Sequence, residues 1–342
     1  MVAKGYPVEF AERIFKQIEG FGEYGFPESH AASFALLVYV SAWLKCHHPD
    51  AFLAALLNSQ PMGFYAPAHL VRDAREHGAS VLPVDVLRSE WDSVLAPPAD
   101  ATHRAALWPV RLGLNRLLGF RQADAQRLIA ERALAPFASV EDLSRRAGLD
   151  AHAMQLLAQG DALLPLVGNR HQAAWSVRGI DTRATAMLAA TRTDEAPATL
   201  AEPAAGQVVV ADYRASGLSL KAHPLSLLRA QLAAFKVQPA AVLAYCRHGQ
   251  IARASGLVTH RQRPETAKGV VFVTLEDETG AVNVIVWPAV AKAQRQALLG
   301  SKLLTVYGVW QAQGEVKHLI AQRLVDHTAL LQGLVTHSRD FH

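Results

Sequence analysis

Near the C-terminus the sequence changes period from helix to strand, and no other feature restricts the fold as tightly. Ile251–Val258, Val270–Leu275, Val282–Trp287 and Leu303–Trp310 are rich in β-branched and apolar residues, and Lys317–Leu324 makes a fifth such run. Between the second and third runs, Glu276-Asp277-Glu278-Thr279-Gly280 has the composition of a hairpin turn rather than of a metal cluster. An alanine-rich helix over 289–299 separates the third run from the fourth. Five strands with a helix between the third and fourth is the order of an OB-fold β-barrel, expected here over residues 241–330.

Upstream, the period is helical. Pro7 opens a segment with apolar residues at Phe10, Ile14 and Ile18, which Gly20, Gly22 and Gly25 are expected to break. Ser29 is placed to cap a helix running to about Lys45, whose apolar run Phe34–Leu44 reads as buried. A short helix from Pro49, another over Pro67–His77 and a strand at Val81–Val84 follow. A second, Arg-rich unit begins near Trp108, with helices expected over 122–133, 139–147 and 151–159. From 181 to 206 the composition shifts to Ala, Thr, Pro and Glu and reads as a linker, followed by a small helix over 224–235. The fold class is therefore multidomain α+β: helical residues 1–95, a second helical region at 108–165, a linker with a short helix at 181–240, and the barrel.

Charge is sorted along the chain. Residues 1–100 hold 7 Lys/Arg against 12 Asp/Glu, whereas residues 101–183 and 241–342 each hold 11 against 7. The basic surplus points those two segments at a polyanion. At 51% apolar residues the chain has material for buried cores and is not a disordered polymer. Two cysteines 200 positions apart, Cys46 and Cys246, make no disulfide framework and point to a reducing cytosol. The N-terminus shows no signal peptide, and Phe34–Leu44 is far short of the roughly 20 residues that span a membrane, so a cytoplasmic protein with no membrane partner is expected.

Gly20-Phe-Gly-Glu-Tyr-Gly-Phe-Pro-Glu-Ser-His-Ala-Ala-Ser-Phe34 joins three glycines to the start of a helix. Free N–H groups there favour an anion near Ser29 and His30, and Phe34 lies one turn on, on the same face as His30. A histidine for phosphate beside a ring for base or sugar suits a nucleotide; a helix cap over a core phenylalanine suits the same residues.

The longer stretch GFGEYGFPESHAASFALLVYVSAWLKCHHPDAFLAALLNSQPMGFY, residues 20–65, strongly resembles the fingers region of the bacterial C-family DNA polymerases, the replicative alpha-subunit family. LLNSQPMGFYAP is similar to its error-prone, SOS-induced translesion branch, the polymerase of the mutasome, and the final Ser338-Arg-Asp-Phe-His342 is similar to the end of that branch. The resemblance is specific in residues 20–65 and looser through the rest of the chain. It implies that residues 1–95 are the C-terminal part of the fingers, that Ser29, His30 and Phe34 line the site of the incoming nucleotide, and that the clamp- and tau-binding extension of replicative relatives is missing. Many replicative relatives have tyrosine where Phe34 stands; the change removes a hydroxyl and keeps a stacking ring.

In that family the catalytic Mg²⁺ is held by a Pro-Asp-x-Asp-x-Asp stretch of the palm. No Asp-x-Asp occurs in this chain. Asp73, Asp85 and Asp92 are scattered, His47-His48 are adjacent, and none of the 15 histidines has metal-site spacing. No catalytic residue and no metal is therefore expected in this chain, which by itself should be inactive.

Leu112-Gly-Leu-Asn-Arg-Leu-Leu-Gly119-Phe-Arg121 resembles half of a helix-hairpin-helix, which offers backbone N–H groups to a DNA phosphate without reading sequence. The usual second glycine is replaced by Arg121, which could meet phosphate itself or mark a purely structural motif. Arg127, Arg132, Arg145 and Arg146 fit either phosphate contacts or a solvated face. In the barrel, His260-Arg-Gln-Arg263-Pro-Glu-Thr-Ala-Lys268 is a basic loop, so Arg261, Arg263 and Lys268 are expected to contact DNA. Phe272, Trp287, Tyr307 and Trp310 are candidate stacking rings, and strand alternation turns each either outward or into the core.

The function these features imply is part of an error-prone DNA-directed DNA polymerase acting in translesion synthesis and DNA repair. Primer-template and single-stranded DNA, deoxynucleoside triphosphates, mutasome accessory proteins and a sliding clamp are the partners this implies. The alternative is a non-catalytic single-stranded DNA-binding module of helix-hairpin-helix and OB-fold. A third class, an OB-containing appendage of a tRNA-binding enzyme or helicase, fits the barrel but not residues 20–65.

Overall fold

The computed structural model describes residues 5, 7–24, 28–63, 65–97, 107–180, 199–331, 333–334 and 339–341. Gly25, most of the expected linker (181–198), Ser338 and His342 lie outside the described residues.

The chain begins with α1 (Val8–Tyr24), which continues through Gly20 and Gly22 instead of breaking there. Then α2 (Glu28–His47) starts one residue before Ser29, which sits inside the first turn and is not the cap. Prolines open α3 (Pro49–Asn58) and α4 (Pro67–Glu76), where a missing N–H has no helical partner to lose. Two-residue strands β1 (Val81–Leu82), β2 (Val94–Leu95) and β3 (Val110–Arg111) form a small sheet with β3 in the middle. The helical region continues with α5 (Gln122–Leu134), α6 (Val140–Arg146), α7 (Ala151–Gln159), α8 (Leu164–Val167) and α9 (Arg170–Gly179). Ser139, Asp150 and Asn169 cap α6, α7 and α9, each accepting from a backbone N–H three residues on. One core unites Leu53, Leu57 and Leu70 with Leu114, Leu128, Leu143, Leu157 and Leu218, so residues 53–95 share their interior with the helices that follow.

The expected burial of α2 is overturned. Leu37 is 60% and Tyr39 70% exposed, and Leu36, Val38 and Trp43 are exposed as well. A helix apolar on all sides needs cover on all sides. Among the described residues α2 is held mainly at its end, by Lys45 Nζ to Asp73 Oδ1 at 2.9 Å.

After residue 198 come α10 (Ala205–Ser216), inside the stretch expected to be a linker, then α11 (Pro224–Ala233) and α12 (Ala240–Leu243). The barrel is β4 (Ile251–Gln262), β5 (Val271–Asp277), β6 (Gly280–Val286), β7 (Leu303–Gln313) and β8 (Val316–Asp326). Its order is β5-β6-β8-β7-β4, closed by β4 against β5, and β9 (Arg339–Phe341) adds parallel to the end of β4. The helix expected over 289–299 is two short ones, α13 (Pro288–Ala293) and α14 (Arg295–Gly300). Alternation turns Val273, Leu275, Val282, Val284, Leu304, Val306 and Leu319 inward to fill the barrel.

Buried charges bind the helical core to α10. Asp161 accepts from Arg170 Nε at 2.8 Å and from Lys221; Arg170 also donates to Asp212 and, at 3.0 Å, to the Val208 carbonyl. A second junction centres on Glu276 of β5, where Arg72 Nη1 lies at 2.9 Å, His69 Nε2 at 3.3 Å and His223 Nε2 at 3.5 Å. Burial alone would raise the Glu276 pKa, but the His223 contact and the charges of His69 and Arg72 hold it below the ordinary carboxylate value.

Candidate nucleic-acid interface

The fingers-like residues come together. The His30 and Phe34 rings sit 4.5 Å apart, centre to centre, one turn apart on α2. Both are exposed in this chain, Phe34 at 53%. Of Ser29 the backbone is described and lies in the same turn.

At the hairpin, Leu114–Arg116 forms a 3-10 turn and Gly119 takes φ +84°, a left-handed conformation that glycine adopts without strain. The chain then enters α5 with Arg121 at the cap position and no side chain capping the helix. Gly119 thus lies just ahead of the positive end of α5, where the Asp124 and Ala125 N–H groups bond the Arg121 carbonyl at 3.1 Å. Arg121 is exposed but not idle: it bonds Asp124 at 2.7 Å and Asp150 at 2.8 Å. The Ala153 N–H and this arginine hold the Asp150 pKa below its ordinary value. Its neighbours are tied likewise. Arg127 binds Asp124, Arg132 binds Glu90 and two carbonyls, Arg145 binds Glu141, and Arg146 faces Glu131 and Asp142. These four brace the helices rather than offering bare charge.

In the barrel the three loop candidates separate. Arg263 and Lys268 are exposed and have no ion pair among the described residues, with Lys268 at φ +49°. Arg261 departs from expectation. It belongs to β4, is 6% exposed, and spends its guanidinium on the carbonyls of Leu298, at 2.7 Å, and Ser301. The cause is strand length. β4 runs to Gln262, past the expected end at Val258, and an irregularity between Val258 and His260 resets its alternation. Arg261 is removed from the DNA-contacting set by this burial.

The stacking candidates also sort. Trp310 is core, Trp287 is exposed, and Phe272 and Tyr307 are half-buried. The Glu276–Gly280 segment is the expected turn: Asp277 Oδ1 accepts from the N–H groups of Thr279 and Gly280 at 2.8 and 3.1 Å, and Arg229 grips Asp277 and Glu278. Among the described residues, no group of three or more His, Cys, Asp or Glu side chains is placed to hold a metal ion, and no helix is long and apolar enough to cross a membrane.

Known proteins bear on these sites. Residues 78–173 match the helix-hairpin-helix motif family, and residues 252–326 the family of OB-fold nucleic acid binding domains. The chain is 53% identical to the error-prone DNA polymerase of Ralstonia nicotianae across 98% of its own length and 31% of the relative's. The error-prone DNA polymerase of Bordetella parapertussis is 53% identical and that of an Azoarcus species 54%, each matched by 100% of this chain, which covers 33% and 32% of them. The chain thus spans about a third of the length of the curated relatives it matches.

Proposed function

We propose that this chain, whose sequence belongs with the error-prone DNA polymerases, is the part of such an enzyme that meets the incoming nucleotide and holds DNA during lesion bypass and repair. The observation that carries this reading is the match along 98% of the chain to a protein of that activity. The geometry fits it. Ser29, His30 and Phe34 meet a deoxynucleoside triphosphate, His30 at phosphate and Phe34 stacked on the base or sugar. Gly119 and Arg121 sit against a duplex phosphate, and the barrel with Arg263 and Lys268 takes single-stranded DNA. Residues 1–95 act as fingers, 108–165 as the hairpin region and 241–330 as the OB domain. The exposed apolar surface of α2 packs on the rest of the polymerase. Mg²⁺ is the metal this reading implies, held by the palm of the whole enzyme. The SOS response, the cytoplasm, mutasome proteins and a sliding clamp are the setting this reading implies.

In a full-length polymerase carrying this segment, His30→Ala and Phe34→Ala are each expected to raise the KM for nucleotide. Losing a phosphate contact or a stacking surface costs roughly 1–3 kcal/mol, or about 5- to 150-fold. Unchanged KM in both folded variants would overturn the nucleotide role. The second reading, a non-catalytic DNA-binding module, draws on the helix-hairpin-helix and OB-fold family matches. Primer extension in Mg²⁺ and four nucleotides separates the parts: the whole polymerase extends, and this chain alone gives no product.

A further inference from the structure

Tyr307 lies at the middle of a three-strand register, with Arg253 of β4 directly opposite on one side and Arg323 of β8 on the other. The Arg253 guanidinium carbon is 5.2 Å and that of Arg323 5.6 Å from the centre of the tyrosine ring. Neither arginine has an acidic partner within 4.0 Å among the described residues, although Arg253 donates a long bond, 3.4 Å, to the Phe235 carbonyl. That is unlike the helical region, where Arg121, Arg127, Arg132, Arg145, Arg146 and Arg170 are all ion-paired. Two like charges beside one ring, with no carboxylate to balance them, make a patch that an anion relieves. Outward-facing Ile251, 73% exposed, continues the same face beyond Arg253.

The face of β5 and β6, where OB barrels commonly take single strands, is poorer here. Its outward positions are Phe272, Thr274, Ala281, Asn283 and Ile285, with no cation among them. One end is also occupied, because His69 of α4 stacks 5.6 Å from His260 and Arg72 holds Glu276.

We propose that Arg253, Tyr307 and Arg323 form a platform for single-stranded nucleic acid on β4, β7 and β8, with a base stacking on Tyr307 and the flanking phosphates on the two arginines. It rests on the DNA-holding role proposed above and gives the strand a path across the barrel apart from the loop of Arg263 and Lys268. Stacking and phosphate contacts read no base edge, so the platform accepts any base with an open π-face.

The test uses the full chain and a fluorescein-labelled oligo-dT, read by anisotropy at several salt concentrations. Tyr307→Ala weakens binding about 5- to 150-fold, Tyr307→Phe binds like the parent, and Arg323→Ala flattens the log K against log salt slope by about 0.7. A 5-iodouracil oligonucleotide irradiated on the unmodified chain crosslinks at Tyr307, which keeps the proposal falsifiable if Tyr307→Ala does not fold. Two results overturn the platform and leave the DNA-holding role standing. One is parent-like affinity in folded Tyr307→Ala while the Arg263→Ala/Lys268→Ala variant loses binding. The other is crosslinking confined to residues 263–268. No binding by the parent at low salt overturns the DNA-holding role itself, and the platform with it.

Discussion

Replacing Asp161 by alanine is expected to destabilise the helical region by about 3–5 kcal/mol, the usual cost of stranding one member of a buried ion pair. Asp161 is 6% and Arg170 9% exposed, so Arg170 would keep only Asp212 to balance it. Lys221 would lose its acceptor as well. Backbone strain adds to the electrostatics. Asp161 has φ +59°, which a short polar side chain tolerates and alanine does not. Urea unfolding of the parent, Asp161→Ala and Asp161→Asn measures this. Asparagine keeps the conformation and loses the charge, so it should fall between the other two. A folded Asp161→Ala within about 1 kcal/mol of the parent would show that the network is dispensable.

Gly308→Ala should be nearly as damaging, at or above the top of the roughly 1–3 kcal/mol that overpacking usually costs. A Cβ on Gly308 would stand 2.0 Å from the Ile320 carbonyl oxygen, and backbone cannot swing aside as a side chain can. The position also sits where the β7–β8 register shifts, next to Tyr307. The substitution should therefore loosen the barrel and disturb the Tyr307 platform together. Thermal unfolding and oligo-dT affinity of the one variant read both effects. An unchanged melting temperature would show that the strands part here more easily than the close approach implies.

The barrel was legible because strand alternation survives in its sequence. All five runs became strands, and the turn at Asp277–Gly280 followed from its composition. The helices expected over 122–133 and 151–159 formed as Gln122–Leu134 and Ala151–Gln159, as their period and the flanking glycines implied. What failed did so for physical reasons. The apolar run in α2 states that the helix wants cover, not where the cover comes from, and among the described residues its long face has none. Arg261 looked like part of a basic loop because the irregularity at Val258–His260 leaves no mark in residue types. Arg170–Asp212, Lys221–Asp161 and Arg72–Glu276 join residues 42 or more positions apart in sequence. The Arg253–Tyr307–Arg323 row depends on a register that pairs three separate strands. Tyr307 could be singled out by residue type, but its two arginines could not.

In the function proposed for it, this chain holds single-stranded DNA through its barrel, largely by contacts of its cations with the DNA backbone. Anisotropy of the full chain with oligo-dT across a salt series, beside the Arg263→Ala/Lys268→Ala variant, tests it most directly. Each phosphate contact contributes about −0.7 to the slope of log K against log salt, so removing two exposed cations should flatten the slope by up to about 1.4. Binding that weakens steeply with salt, with a shallower slope in the double variant, is the predicted result. No binding at low salt, or an affinity indifferent to salt, would contradict the account.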